Sequence, residues 1–283
     1  MNLIAILLGT LTAGVGSVFV AAVLSFGVLS RYTQHMLSLA AGALMGTAFL
    51  HLLPEAFESP IGPHRLFLTL LLGVVFFFLL DKAELWHHGH EHHHGPHEPA
   101  GHDHHGHAHT TEKHEAHHHV HASAHAHAHH THGNPGNWAV LAGDSVHCFG
   151  DGILIASAFM ADIRLGIMAA LAVLAHEVPH HMGDLVVLGR GAPSRQTALL
   201  KVSMAGAVTM LGGLVGYWLV EQLRDYLPYF LVMASSSFVY VALADLIPQL
   251  QKRLSLRQTL AQIGWLFTGM AMVTLVSLVR QAH

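Results

Sequence analysis

Eight apolar runs, each about long enough to cross a bilayer as a helix, dominate this sequence: residues 2–29, 35–57, 65–85, 137–160, 164–188, 197–220, 226–249 and 258–280. Roughly 20 helical residues span the hydrocarbon. The expected fold is therefore an all-α integral membrane protein with eight transmembrane helices. Composition agrees: 52% of residues are hydrophobic and only 11% charged, against about 25% charged in soluble domains. The first run lacks a basic leading segment and is longer than a signal peptide, so it reads as a retained helix. The single cysteine, Cys148, excludes an internal disulfide.

Eight spans put both termini on one side. The loops and loop-proximal positions of one face hold nine Lys and Arg residues, including Lys82, Arg190 and Lys252; the other face holds Arg65, Arg164, Arg224 and Arg280. The positive-inside rule then places both termini outside and residues 86–136 in the cytoplasm. The chain divides into residues 1–86 with the first three helices, a loop over 87–136, and residues 137–283 with the last five. Residues 87–132 contain 22 of the 30 histidines. This low-complexity stretch lacks the apolar content to offset ordering entropy and is expected to be disordered. Its imidazoles suit loose binding of Zn, Ni, Co or Cu, which fits buffering or sensing.

The chemistry concentrates in the fourth and fifth runs. His176-Glu177-Val178-Pro179-His180-His181-Met182-Gly183-Asp184 places five ionisable or metal-binding side chains in an otherwise apolar helix. An ionised group at mid-bilayer costs roughly 2.5–3.5 kcal/mol on insertion scales, so such groups need partners. On a helix His176, His180 and Asp184 form one row, with Glu177 and His181 in a second row beside it. The fourth run supplies Asp144, His147, Cys148 and Asp151, with His147 and Asp151 at i, i+4. A short turn joins the two runs, which makes them antiparallel neighbours. Facing stripes of imidazole and carboxylate suit one or two divalent transition-metal ions, and the Cys148 thiol favours softer ions. Pro179 removes one helical donor and frees the Ala175 carbonyl, as is tolerated beside a wet cavity. His51 and Glu55 in the second run, and Asp245 in the seventh, are further pathway candidates beside Asp144 and Asp184. Helix capping explains these outlying residues equally well.

With these motifs in view, the chain resembles the ZIP (Zrt/Irt-like protein) metal transporters. The likeness is closest to the subfamily with a His-rich cytoplasmic loop and an H-E-x-P-H-E-x-G-D signature in the fifth helix. The second-helix H-L-L-P pattern falls on His51 to Pro54. The fourth-helix H-N-x-x-D-G pattern falls on His147, Cys148, Asp151 and Gly152. The resemblance implies a ZIP-like bundle with its metal site between helices four and five, and import of zinc or a related divalent ion by alternating access. It implies one ion position at His147, Asp151, His176 and His180. A second would use Cys148, Glu177 and Asp151, with His181 as a further candidate. Three residues depart from the pattern. Cys148 stands for Asn, His181 for the second Glu of the signature, and Thr209 where some members have a sixth-helix Glu.

The expected cargo is Zn2+, with Cd2+, Fe2+, Mn2+, Co2+ and Ni2+ as alternatives; no catalytic cofactor is expected. Partners are the lipid bilayer and divalent metal ions, with no nucleic acid, and a homodimer is compatible with the bundle. A short chain without a targeting peptide points to a prokaryotic inner membrane. A transporter is not an enzyme, but His176-Glu177-x-x-His180 also satisfies the H-E-x-x-H pattern of zinc proteases, with Asp245 as a third ligand. An exporter with a His-rich loop is the other alternative.

Overall fold

A computed structural model describes residues 2–25, 33–89, 135–191, 194–250 and 255–279. They form eight helical rods: α1 (Asn2–Ser25), α2 (Thr33–Phe57), α3 (Pro63–Gly89), α4 (Pro135–Ala161), α5 (Ile163–Gly191), α6 (Arg195–Gln222), α7 (Arg224–Leu250) and α8 (Leu256–Val279). The expected spans are all present, mostly a few residues longer. Residues 90–134, which hold most of the His-rich stretch, lie outside the described residues.

Among the described residues, six rods are long and apolar enough to cross a membrane: α1, α2, α3, α6, α7 and α8. The two that fall short are α4 and α5, which carry the His, Asp and Glu residues singled out above. Their polarity is hidden by position. The flanks of α3 and α8 are clad in exposed Phe67, Leu71, Phe76, Leu260 and Phe267, the surface expected against acyl chains. The polar stripes of α4 and α5 turn inward instead.

Small residues set the packing. A methyl group on Gly152 of α4 would run into the Thr209 carbonyl of α6, and one on Gly212 of α6 into the Phe149 carbonyl of α4. This mutual approach locks α4 to α6 at backbone distance, as small residues do in membranes. Gly42 of α2 and Gly269 of α8 meet the Leu266 and Leu39 backbones in the same way. The bundle divides accordingly: α1, α4, α5 and α6 pack on one another, while α2 packs on α8 and α3 on α7. The two sets touch chiefly along α2–α5 and α4–α7.

Local chemistry fixes the ends that matter to the site. A single residue, Asp162, separates α4 from α5; its carboxylate accepts the Arg164 backbone N–H at 2.7 Å and caps α5. That tight turn sets the two helices side by side and antiparallel. Pro179 is buried within a continuous α5. Short π-helical turns instead interrupt α1 (Thr12–Gly16), α2 (Ala48–Leu52) and α7 (Val241–Leu246). The last two each precede a proline, Pro54 and Pro248, by one intervening residue. There the Leu53 and Ile247 N–H groups reach back five residues, to Ala48 and Ala242.

Candidate metal site between helices four and five

The stripes span eight residues of α4 (144–151) and nine of α5 (176–184), about two turns each, and they face one another. On α4 Asp144, His147, Cys148 and Asp151 lie at i, i+3, i+4 and i+7. On α5 His176, Glu177, His180, His181 and Asp184 fill the two rows expected from their spacing. Asp151, His176, Glu177 and His181 are at most 3% exposed. The side chains of His147 and His180 are 28% and 40% exposed, so they form the open side of the cluster.

The potential ligand atoms fall into three groups, each lying within 4.8 Å. The first joins His147, Asp151, His176 and Glu177. His147 Nε2 and His176 Nε2 are 3.3 Å apart, and each lies 3.3 Å from Glu177 Oε1. Asp151 Oδ2 is 3.2 Å from His176 Nε2 and 3.8 Å from His147 Nε2. Donors about 2.0–2.1 Å from a tetrahedral zinc ion stand about 3.3 Å from one another, so these spacings suit one ion. His176 Nδ1–H donates to the Ala172 carbonyl at 3.2 Å, which leaves its Nε2 lone pair for a metal.

The second group joins Asp144, Cys148, Glu177 and His181. Glu177 Oε2 is 3.1 Å from His181 Nε2 and 3.8 Å from Cys148 Sγ. Asp144 completes it, with Oδ1 3.8 Å from Cys148 Sγ and Oδ2 3.8 Å from His181 Nε2. The two oxygens of Glu177 thus face different groups. The third group is Asp144, His180 and Asp184. His180 Nδ1 lies 3.5 Å from Asp144 Oδ1 and 3.4 Å from Asp184 Oδ2, and its ring stacks on that of His147.

The groups that these distances define differ from the two ligand sets implied by the resemblance. Glu177, rather than His180, completes the group around His147, Asp151 and His176. His180 turns toward Asp144 and Asp184, both expected only as pathway residues, and Asp144 rather than Asp151 serves the Cys148 group. The reason is geometric: sharing a helix row does not decide which way an imidazole points, because the facing carboxylates decide it. The remaining pathway candidates lie apart from these groups. His51 is half-buried in the π-turn of α2, Glu55 is exposed, and Asp245 accepts a hydrogen bond from Gln249 at 2.9 Å. Thr209 is buried on α6, with its hydroxyl against Gly14 of α1.

Among the described residues, five buried atoms of the cluster have no hydrogen-bond partner: Asp144 Oδ2, Asp151 Oδ2, Glu177 Oε1, His181 Nε2 and Asp184 Oδ2. Burying such groups unpaired costs kilocalories each. The imidazole nitrogens that face these atoms at 3.1–3.8 Å pair with them only when protonated; with neutral imidazoles, the clustered lone pairs are what a cation would satisfy.

Comparison with known proteins agrees with this chemistry. The family described as ZIP Zinc transporter matches residues 1–277. The chain belongs to the ZIP zinc transporter family. Among ZIP relatives, human Zinc transporter ZIP4 is 30% identical over 258 residues, covering 80% of this chain and 40% of that protein. Zinc transporter ZIP13 of Pongo abelii is 26% identical over 298 residues, covering 96% of this chain and 77% of its own length. The Drosophila melanogaster Zinc transporter foi is 32% identical over 142 residues, half of this chain and 20% of that relative. The chain therefore spans less than half the length of the fruit-fly and human ZIP proteins it matches.

Proposed function

We propose that this chain carries a divalent transition metal, zinc foremost, across a membrane toward the cytoplasm. The observation that carries the reading is the shared carboxylate. Glu177 offers Oε1 to the His147–Asp151–His176 group and Oε2 to the Asp144–Cys148–His181 group. Asp144 in turn belongs to both the second and the third groups. A cation passing along this row keeps one shared carboxylate at each step and never loses its whole shell. Its dehydration is offset by carboxylates and imidazoles already gathered in place.

His147, Asp151, His176 and Glu177 hold the first ion in this reading. Asp144, Cys148, Glu177 and His181 hold a second, and His180 with Asp144 and Asp184 hands cargo on toward the α3–α4 loop. All nine bonding residues considered lie on α4 and α5, within one of the two helix sets. Movement of that set against α2, α3, α7 and α8 would expose the row to each side in turn. Under the positive-inside assignment both termini lie outside and the His-rich loop in the cytoplasm. The third group then faces the delivery side. A prokaryotic inner membrane fits this topology, although the relatives compared above come from animals.

The protease alternative fares worse. It needs His176 and His180 on one ion, whereas His180 Nδ1 points to Asp144 and Asp184. Time-resolved uptake of Zn, Cd, Fe, Mn, Co and Ni into proteoliposomes of fixed orientation tests the proposal. Inward metal flux without peptide cleavage is expected. Cleavage without flux, or flux only in the outward direction, contradicts it.

A further inference from the structure

We infer that Ser17, on α1, is a positioning residue that fixes His181 as a metal ligand through its Nε2. The inference rests on the second ligand group proposed above and adds a residue from a third helix. Ser17 follows directly on the π-helical turn Thr12–Gly16 and is fully buried. Its hydroxyl donates to the Gly14 carbonyl at 2.5 Å. The same Oγ lies 3.0 Å from His181 Nδ1.

A serine hydroxyl has one proton and two lone pairs. With its proton committed to Gly14, Ser17 Oγ can only accept from His181, so Nδ1 must carry the hydrogen. A neutral imidazole protonated at Nδ1 leaves Nε2 as a bare lone pair. That atom faces Glu177 Oε2 and Asp144 Oδ2 and has no hydrogen-bond partner among the described residues. The pair thus selects one tautomer and one ring orientation, the role outer partners play at metal-bound histidines. His176 obtains the same result within its own helix, from Ala172. His181 obtains it from α1. The need is specific to this sequence: a Glu at this position, as in the family signature, has no tautomer to choose.

The test uses the full-length chain in lipid nanodiscs, titrated with Cd2+ and followed through the charge-transfer absorption of the Cys148 thiolate bound to Cd. Ser17→Ala should weaken Cd2+ binding at the Cys148 position by about 10–100-fold, the usual effect of losing an outer partner. In a His181→Ala background the same substitution should add nothing. Unchanged affinity, or an equal loss in the His181→Ala background, overturns the inference, because Ser17 would then not act through His181. Nitrogen-15 NMR of histidine in the Cd-loaded wild type reads the tautomer without any variant. An Nδ1–H, Nε2-bound His181 is expected, and the reverse tautomer overturns the inference. Absence of any thiolate band in the wild type would instead overturn the second ligand group itself, and this inference with it.

Discussion

At the scale of single residues, the site gathers carboxylate and imidazole lone pairs at spacings that suit a cation. Glu177 and Asp144 each serve two groups, so removing either should disturb binding more widely than removing Cys148. Cys148 provides the sharper test of selectivity. Cys148→Asn should lower the Cd-to-Mn preference, because an amide oxygen is a harder donor than a thiolate; competitive uptake of the two ions measures it, and an unchanged ratio would mean that Cys148 is not a ligand. The positions that gather into this cluster were readable in the sequence because His, Asp and Glu at helical spacing cannot sit in lipid without partners. Their grouping was not. Whether His180 turns to His176 or to Asp184 depends on where Asp144 stands on the facing helix, and spacing within one helix carries no such information. Ser17 was also invisible, since a lone serine in an apolar helix has no signal until its neighbour across the bundle is known.

At the scale of helices, backbone contact between α4 and α6 holds the site's stripe in register. Gly152→Val should therefore destabilise the protein by about 1–3 kcal/mol or more, the usual cost of overpacking. It should also lower metal affinity, since the Asp151 side chain is next to it. Gly264→Ala is the control, because nothing lies within 4 Å of where its methyl would stand. Thermal unfolding in detergent should separate the two variants, with Gly264→Ala at or above wild type. Equal unfolding temperatures would contradict the packing account. Six helices were legible from length and apolarity alone, and α4 and α5 because their polar residues were read as one inward stripe. The π-turns in α1, α2 and α7 were not. Prolines at 54 and 248 signal some local adjustment, but its form depends on which carbonyls the neighbouring helices leave free.

At the scale of the whole molecule, two helix sets meet along α2–α5 and α4–α7, and every proposed ligand rides on one of them. Helix order alone does not indicate this division, because α1 packs on α5 and α6 across long stretches of chain. The His-rich stretch stands apart from the rest of the chain by composition, with 22 of the 30 histidines in residues 87–132, and is proposed to act as a separate unit. Replacing residues 87–132 with a Gly/Ser linker should leave initial uptake near normal and remove weak metal-binding equivalents from the purified protein. In the intact protein, those equivalents should fade as pH drops through about 6.5, because protonated imidazole does not coordinate. Equilibrium dialysis checks the stoichiometry; loss of initial flux in a correctly inserted replacement would place the loop on the transport path. The most direct test of the central claim is the initial rate of zinc uptake into proteoliposomes carrying equal amounts of wild type, His147→Ala or His176→Ala. Each variant opens one coordination position in the first group, and the account predicts that both lose most of the uptake while inserting and folding normally. Wild-type rates in both would contradict it.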